Sequence, residues 1–448
     1  MKTLKLLYFA ILALFIVSCE DELNIEPTQS ISVEAALSSE ENISNILIGA
    51  YQEAGQAATF GGDTHVTTEL LGNTNQVSWG GTYAVMREFF TKNMLTTNSY
   101  VEGNWNNNYE VINEVNIVLD NLDIVTSSTD TRDRIEGEAK FLRALSYFDL
   151  ARNFGFPYEA GQTNSQLGVP IRVAGIVDFS VDLSIARNTV EEVYSQIISD
   201  LNDAYGKLPA SNDFFADKYA AKALLARVYL QQGNYLAARD AANDVLNNSG
   251  HSLMSTFAGA FNNDTDSNED IFTFQVTGQG GDNDFIIFYA SQGNGGRGGD
   301  ISIEPGYTNL FDSPAQDVRA SFLYVSPDNG FNLTSKYTNE FGNVPTFRIA
   351  EMHLIRTEAN FREGTSVGLD PLVEINALRA RSMAPPLGAL TLNLILNERQ
   401  LELGFEGHLL HDLKRTGRSV GSLPYNSDKL VFPIPQAEMD TNPLMVQN

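Results

Sequence analysis

The sequence predicts a mostly α-helical protein whose second half is interrupted by loops and short strands. Two long stretches, 131–153 and 218–248, carry apolar residues at steps of three and four, which is the periodicity of an amphipathic helix. Between 249 and 344 this periodicity disappears, and glycine, asparagine and aspartate separate short apolar runs. We therefore expect a helical part over residues 33–248 and a second part over 249–448, in which irregular loops precede further helices.

The N-terminus predicts export and lipid attachment. Residues 1–5 carry two lysines, and 6–17 form an apolar run of twelve residues. A membrane-spanning helix needs about 20 apolar residues, so the pattern is typical of a secretory signal peptide over 1–18. The tetrapeptide "IVSC" resembles the lipobox of bacterial lipoproteins, and its Cys19 is the only cysteine of the chain. Cys19 is the predicted lipid attachment site, and an unmodified thiol in an ordinary signal is the alternative.

Residues 19–32 are predicted to form an extended tether around Pro27. The acidic residues Glu20, Asp21 and Glu22 resemble the export signal that follows the lipidated cysteine in surface lipoproteins of some Gram-negative bacteria. That resemblance implies a position on the outer face of the outer membrane. A solvated run of charges explains the same residues.

The charge of the chain argues against nucleic acid as a partner. The 448 residues include 56 acidic and 29 basic side chains, for a formal net charge of -27. Loss of residues 1–18 would remove two lysines and no acid, which takes the charge from -27 to -29. Because phosphate binding needs basic patches, this excess of acid excludes that class of function.

Helix signals follow one another along the chain. Ser38 and Glu41 have the spacing of a capping box and predict a helix that continues to about Ala54. Asp130 and Gly155 are suited to begin and end the longest helix. Helices are predicted over residues 104–122, 131–153, 189–207, 347–363, 371–381 and 392–403.

Residues 218–248 predict two helices joined by a short turn at Gly233 and Asn234. Alanines on the facing sides let the two helices approach closely, and "LLARVYLQQGNYLAARDAA" resembles one tetratricopeptide helical hairpin. Within 249–344, "DIFTFQVTG" and "DFIIFYAS" are predicted to be short strands.

Several segments together resemble the SusD/RagB family. They are "GEAKFLRALSYFDLARNFG", "DKYAAKALLARVYLQQGNY", "TFRIAEMHLIRTEANFREG", "INALRARSMAPP", "NERQLELGFEGHLLHDLKRTGR" and "LVFPIPQAEMDTNP". The resemblance implies a lipid-anchored outer-membrane protein that captures oligosaccharide, or in some members oligopeptide. It also implies a SusC-type TonB-dependent transporter as partner, a mostly helical fold with tetratricopeptide-like pairs, and no catalytic residues. These segments are scaffold, so they assign no ligand contacts.

Three motifs partly match sites for nucleotide, zinc or calcium. "GNGGRG" (293–298) matches a dinucleotide-binding pattern, but "DISIEPG" follows it, which does not predict the helix that such a site requires. His408 and His411 are three residues apart, whereas zinc hydrolases of the HExxH type need a spacing of four and a glutamate. "DTDSNEDIFTFQ" begins like a calcium loop but lacks its glycine and its final glutamate. We predict no catalytic residue, metal ligand or cofactor, and leave casual calcium binding open.

Aromatic side chains in polar surroundings indicate where a sugar would bind, because a ring covers the apolar face of a sugar while amides and charges bind its hydroxyls. Trp105 lies on an apolar helical stripe and is predicted to be core. Trp79 lies in "GNTNQVSWGGTYAV", which predicts a loop, and is expected to be an exposed platform extended by Tyr83. The candidate ligand contacts are Asn75, Trp79, Tyr83, Tyr289 and Arg297, although ordinary loop positions would account for Tyr289 and Arg297 as well.

The sequence thus predicts a surface lipoprotein that binds a glycan without changing it and delivers it to a transporter. A peptide-binding member of the same family is the first alternative. A surface scaffold of helical repeats without a small ligand is another. The acidic residues also leave a surface glycosidase open, because no sequence pattern singles out an acid–base pair.

Overall fold

The computed structural model describes residues 33–448. The predicted signal peptide, Cys19 and the tether lie outside the described residues. Within 33–448, helices dominate and the strands are short, which confirms the predicted fold class.

The helices and strands have the following bounds. The helices are α1 (Val33–Ala36), α2 (Glu40–Ala54), α3 (Asp63–Gly72), α4 (Ala84–Thr91), α5 (Ser99–Asp120), α6 (Thr129–Phe154), α7 (Val190–Lys207), α8 (Lys218–Gln232), α9 (Tyr235–Asn248), α10 (Phe285–Tyr289), α11 (Pro305–Thr308), α12 (Ile349–Glu363), α13 (Pro371–Arg381), α14 (Leu392–Leu403), α15 (Leu409–Arg415) and α16 (Gln436–Thr441). The strands are β1 (Val77–Trp79), β2 (Asp270–Phe274), β3 (Ile301–Ile303), β4 (Leu323–Val325), β5 (Asn332–Thr334) and β6 (Val344–Arg348).

Local capping chemistry sets where the helices begin. Thr189 opens α7 with a capping box, at the position where the sequence predicts that helix to begin. Ser128 caps α6 with its hydroxyl, so the prediction of Asp130 as the cap is wrong by two residues. Ser39, not Ser38, caps α2 in the same way. In both cases the serine directly before the first helical residue accepts a free N–H of the first turn.

Helix α6 is the centre of the N-terminal half. It packs against α5 and α7, and α2 also contacts it. Phe141, Ala144 and Phe148 on one predicted stripe and Ile135 on the other have no exposed surface. A helix that is apolar on more than one side is therefore covered on more than one side, as the sequence predicts.

The predicted hairpin is confirmed. Helices α8 and α9 pack on each other and are joined through Gly233, whose φ of 72° is the left-handed conformation that favours glycine. Helix α9 then packs on α12, so the hairpin connects the N-terminal helices to those that follow the loops.

The irregular segment 249–344 is attached to the helices by a strand pair. Strand β2 pairs antiparallel with β6, which runs directly into α12. The run "DFIIFYAS" contains the short helix α10, so the prediction of a strand there is wrong. A five-residue apolar run that is almost wholly buried carries no periodicity by which sequence could separate the two structures.

A buried network of ion pairs joins these parts, and we call it the ion network. Arg348, at the end of β6, contacts Glu269 just before β2, with Nη1 and Oε1 2.5 Å apart. The same guanidinium contacts Glu402 on α14 at 3.3 Å and Glu406 beyond it at 2.8 Å. Arg348 and the first two glutamates are each 2 % exposed or less.

Further basic side chains surround Glu402 in the ion network. Arg381 on α13 pairs with it, and the Nζ of Lys336 donates to its backbone carbonyl at 3.0 Å. Burial alone would raise the pKa of Glu402, but Arg381, Arg348 and Arg319 outweigh burial and lower it to about 2. The carboxylate therefore stays charged in the interior because several cations share it.

The apolar core is continuous from α2 to the C-terminal segment and crosses the expected boundary at residue 248. Trp105 is 3 % exposed and contacts Phe154 edge-to-face, which confirms its prediction as core. Between residues 33 and 448, no helix is both long and apolar enough to cross a membrane.

Arg348→Met should lower the free energy of unfolding by about 3–5 kcal/mol, because it leaves buried carboxylates short of a partner. Asp203→Asn is the matched control. It breaks a surface pair in which Asp203 lies 2.8 Å from Lys140 with its side chain 52 % exposed, and should cost at most about 1 kcal/mol. Urea unfolding of both variants measures the difference, and equal costs would contradict a structural role for the ion network.

Candidate functional site

A short strand pair brings together two segments that are far apart in sequence. Strand β1 pairs antiparallel with β3, with Trp79 opposite Ile301 and Val77 opposite Ile303. Beyond the strand, the N–H of Gly80 donates to the carbonyl of Asp300 at 2.8 Å. The segments around Trp79 and Arg297, both singled out from sequence, therefore form one surface.

Tyr83 and Arg297 are stacked on this surface. The guanidinium carbon of Arg297 lies 3.7 Å from the centre of the Tyr83 ring, and Tyr83 remains 42 % exposed. Nη2 of Arg297 donates to the hydroxyl of Thr82 at 3.3 Å, and Nη1 lies 3.5 Å from a carboxylate oxygen of Asp300. These contacts hold a flat, partly exposed pair of polar and aromatic groups in place.

Trp79 lies beneath this surface, not on it. It is the last residue of β1 and is 7 % exposed, so the prediction of an exposed platform in a loop is wrong. A Cβ on Gly81 would come within 2.5 Å of its ring, which shows how closely the backbone covers the indole. The indole N–H is buried and has no hydrogen-bond partner within the described chain.

The other two sequence candidates are placed differently. Tyr289 has no exposed surface, and its ring packs against those of Tyr337 and Phe405, so the prediction of a surface loop position is wrong and we assign it to the core. Asn75 is exposed but lies before β1, at the opposite end of the strand from Trp79. Its carbonyl accepts the N–H of Gly306 at 2.8 Å, and the structure does not bring it to the stacked pair.

A cavity of about 530 Å³ opens beside the stacked pair. Ile287 and Gly295 line it, and the N–H of Arg297 donates to the carbonyl of Ile287 at 3.2 Å. Two kinds of side chain dominate the remaining wall. The amides are Gln52, Gln56, Gln279 and Asn283, and the apolar groups are Ile286, Ile287 and the 46 % exposed Phe341.

Carboxylates complete the wall of the cavity. Asp282, Asp284 and Glu340 line it, and Asp63 at the start of α3 lies against Asp284. Burial raises the pKa values of both Asp63 and Asp284, and the neighbouring Asp282 raises them further. Burial and the neighbouring carboxylate of Asp284 therefore favour the protonated form of Asp63.

A second cavity, of about 570 Å³, lies along α5 and is lined by Trp105, Tyr109 and the 74 % exposed Phe179 among others. None of the five ligand contacts expected from the sequence lines either cavity, but Ile287 in the wall of the first accepts the N–H of Arg297, which places that cavity next to the stacked pair. We therefore take the first cavity as the candidate site and call it the amide cavity.

Two segments of the chain match models of known protein families. A family model described as "Starch-binding associating with outer membrane" (SusD-like) matches residues 22–230, and the SusD family model matches residues 316–421. The two matched ranges together cover most of the chain, and the second contains helices α12 to α15 with Glu402 of the ion network. The chain belongs to the SusD/RagB family.

Relatives of this SusD/RagB protein match along most of their length. It is 25% identical to a SusD-like protein of Formosa agariphila over 91% of this chain and 89% of that protein. It is 23% identical to a SusD-like protein of Bacteroides ovatus over 73% of this chain and 67% of that protein.

Solved structures show the same fold. A SusD superfamily protein from Bacteroides thetaiotaomicron superposes with a TM-score of 0.80 at 24% identity, covering 92% of this chain and 99% of that chain. A laminarin-binding SusD-like protein superposes with a TM-score of 0.76 at 22% identity, covering 92% of this chain and 99% of that one.

Sequence reasoning missed most of the amide cavity of this SusD/RagB protein. Gln52 lies on α2 and Gln56 two residues beyond its end, while Asp282 and Asn283 lie more than 200 positions later. The structure joins them where the N–H of Ala57 donates to Oδ2 of Asp282 at 2.9 Å. No local pattern signals such a contact, although the glycine- and asparagine-rich run 277–284 did predict an irregular surface.

Asp63→Asn should stabilise the protein at high pH. The pKa of Asp63 is raised from about 4 to about 8, so the folded state holds a proton that the unfolded chain releases. Stability therefore falls as the pH rises between these values. The variant should melt at a higher temperature than the parent near pH 9, and this advantage should shrink near pH 5. A difference in melting temperature between variant and parent that does not change with pH would contradict the raised pKa of Asp63.

Proposed function

We propose that this SusD/RagB protein is a cell-surface lipoprotein that binds an oligosaccharide at the amide cavity and passes it to a SusC-type TonB-dependent transporter. The observation that carries the proposal is the adjacency of the Tyr83–Arg297 pair to a cavity rich in amides, in a chain of this family. The laminarin-binding relative of the same fold supports a glycan as the ligand class.

The chemistry of the surface suits a sugar. The exposed part of the Tyr83 ring and the side chain of Phe341 can cover the C–H face of a pyranose. The amides of Gln52 and Gln56 offer both donors and acceptors to hydroxyl groups. A volume of about 530 Å³ lies within the range of small-molecule sites, which is about 300–1,000 Å³. An oligosaccharide would therefore place a few sugar units in the amide cavity and extend the others over the stacked pair.

The proposal includes binding without chemical change, which the family supports. Asp63 is 8 % exposed, so little of its carboxyl is accessible to a bound sugar. Incubation with the bound glycan, followed by analysis of reducing ends, should return the ligand intact. Release of shorter sugars would favour the glycosidase alternative.

Tyr83→Ala should weaken glycan binding by about thirtyfold, equivalent to about 2 kcal/mol, if the ring is a central contact. Because Tyr83 is half exposed, the same change should leave the free energy of unfolding within about 0.5 kcal/mol of the parent. Calorimetric titration against a panel of oligosaccharides measures the first effect, and thermal unfolding measures the second.

Phe214→Ala is the matched control for that test. Phe214 is 54 % exposed and lines neither cavity, so its loss should leave binding unchanged. If Tyr83→Ala and Phe214→Ala bind every ligand as the parent does, the stacked pair is not part of the site. If peptides bind and glycans do not, the peptide-binding alternative replaces the proposal.

Cys19→Ser should abolish labelling by radioactive fatty acid and release the protein from membranes, because two or more acyl chains are what hold a lipoprotein stably. Retention of both the label and the membrane fraction would rule out this anchor. From membranes of the parent strain in mild detergent, the tagged protein should also recover a TonB-dependent transporter in near-equal amount.

A further inference from the structure

The wall of the amide cavity carries negative charge without positive compensation. Asp282, Asp284 and Glu340 line it, and among the described lining residues there is no lysine, arginine or histidine. Asp63 adds a fourth acidic side chain immediately behind Asp284. The charged side chains that a ligand meets in this cavity are therefore all carboxylates.

The nearest cation does not offset this charge. Nη1 of Arg297 lies 3.5 Å from Asp300, the guanidinium stacks on Tyr83, and Arg297 is not among the residues that line the cavity. The carboxylate of Asp282 accepts the N–H of Ala57, which fixes one acidic group at the wall and neutralises none of its charge. The potential in the cavity therefore remains negative at neutral pH.

Such a wall discriminates between sugars by their charge. A hydroxyl can donate to a carboxylate, so an uncharged sugar gains charge-assisted hydrogen bonds there. A sulfate or uronate group has no proton to donate at neutral pH and is repelled at short range in a partly desolvated site. Charge opposition of this kind is a common way to reject a competing ligand.

We propose that the amide cavity selects uncharged oligosaccharides and excludes sulfated or uronate-bearing ones. This inference rests on the proposed glycan-binding function and specifies its substrate class. The determinant is the set of carboxylates at 282, 284 and 340, together with the absence of a basic residue from the described wall.

The selectivity should weaken as the pH falls, since protonation removes charge from the wall. Asp284, in the loop before α10, faces Asp282 in the same loop and Asp63 on α3. Tyr100 on α5 interacts with Asp63 and Asp284, and also with Arg297. The pKa of Asp284 is raised to about 6 by burial and by Asp282, so its charge is lost under mildly acidic conditions. A sulfated ligand keeps its own charge over this range, which isolates the effect of the protein.

The experiment uses pairs of oligosaccharides that share a backbone and length and differ only in sulfation. Each pair is titrated against the soluble chain from residue 20, and against Glu340→Gln, Asp284→Asn and the double variant. Glu363→Gln, which alters an exposed acid at the end of α12 outside the cavity, is the control. In the parent at pH 7.5, we expect the neutral member to bind at least tenfold more tightly than its sulfated partner.

The variants test whether the carboxylates cause this gap, meaning the ratio of the affinities for the neutral and the sulfated oligosaccharide. The double variant should narrow it to about threefold or less by improving binding of the sulfated ligand, and Glu363→Gln should leave it unchanged. For the parent, the gap should also narrow near pH 5. The inference is overturned if the sulfated ligand binds as well as its neutral partner. It is also overturned if no cavity variant changes the ratio of the two affinities. Both outcomes leave glycan binding itself intact. Absence of binding to every member of the panel overturns the proposed function and this inference with it.

Discussion

The buried carboxylate of Glu402 is the interaction on which the architecture depends. Its neighbours Arg348, Arg381 and Arg319 come from β6, α13 and the 3-10 turn before β4, so one side chain links elements from three parts of the chain. Burying several charges is expensive, and the cost is offset only when every partner is in place. Such an arrangement favours one packing of the helices against the loops over all others. Several charged residues of "NERQLELGFEGHLLHDLKRTGR" are likewise interior, since Glu398, Arg399, Glu402 and Lys414 are each 3 % exposed or less.

The ion network also explains how an irregular segment can carry a binding surface. Residues 249–344 contain little regular structure, yet Glu269 at one end and Arg348 at the other meet at 2.5 Å. The ends of the segment are therefore fixed, and the sheet β1–β3 fixes its middle to the N-terminal half. Loops held at three points by a rigid scaffold can vary in sequence without loss of the fold.

The sequence predicted the long helices well and the site only in part, for one physical reason. Helices α7, α13 and α14 have ends that the sequence located to within a residue, because caps, prolines and periodic apolar faces are local signals. Trp79 stands among polar and glycine residues, and Tyr289 lies in a loop-rich region before such a stretch, which suggested exposure. Their burial comes from distant segments: β3 and Gly81 cover Trp79, while Tyr337 and Phe405 enclose Tyr289. Tyr83 and Arg297 were chosen separately from the sequence, and only the tertiary structure reveals that they stack.

The placement of the two tryptophans gives the molecule an internal spectroscopic probe. Trp79 lies directly under Gly81 and next to Phe288, with its indole N–H unpaired, whereas Trp105 is enclosed by helices and packed on Phe154. Emission from Trp79 is therefore sensitive to small movements of the backbone that supports Tyr83, while emission from Trp105 serves as a constant background. Because the chain has only these two tryptophans, their emission reports on the surface above Trp79 without any added label.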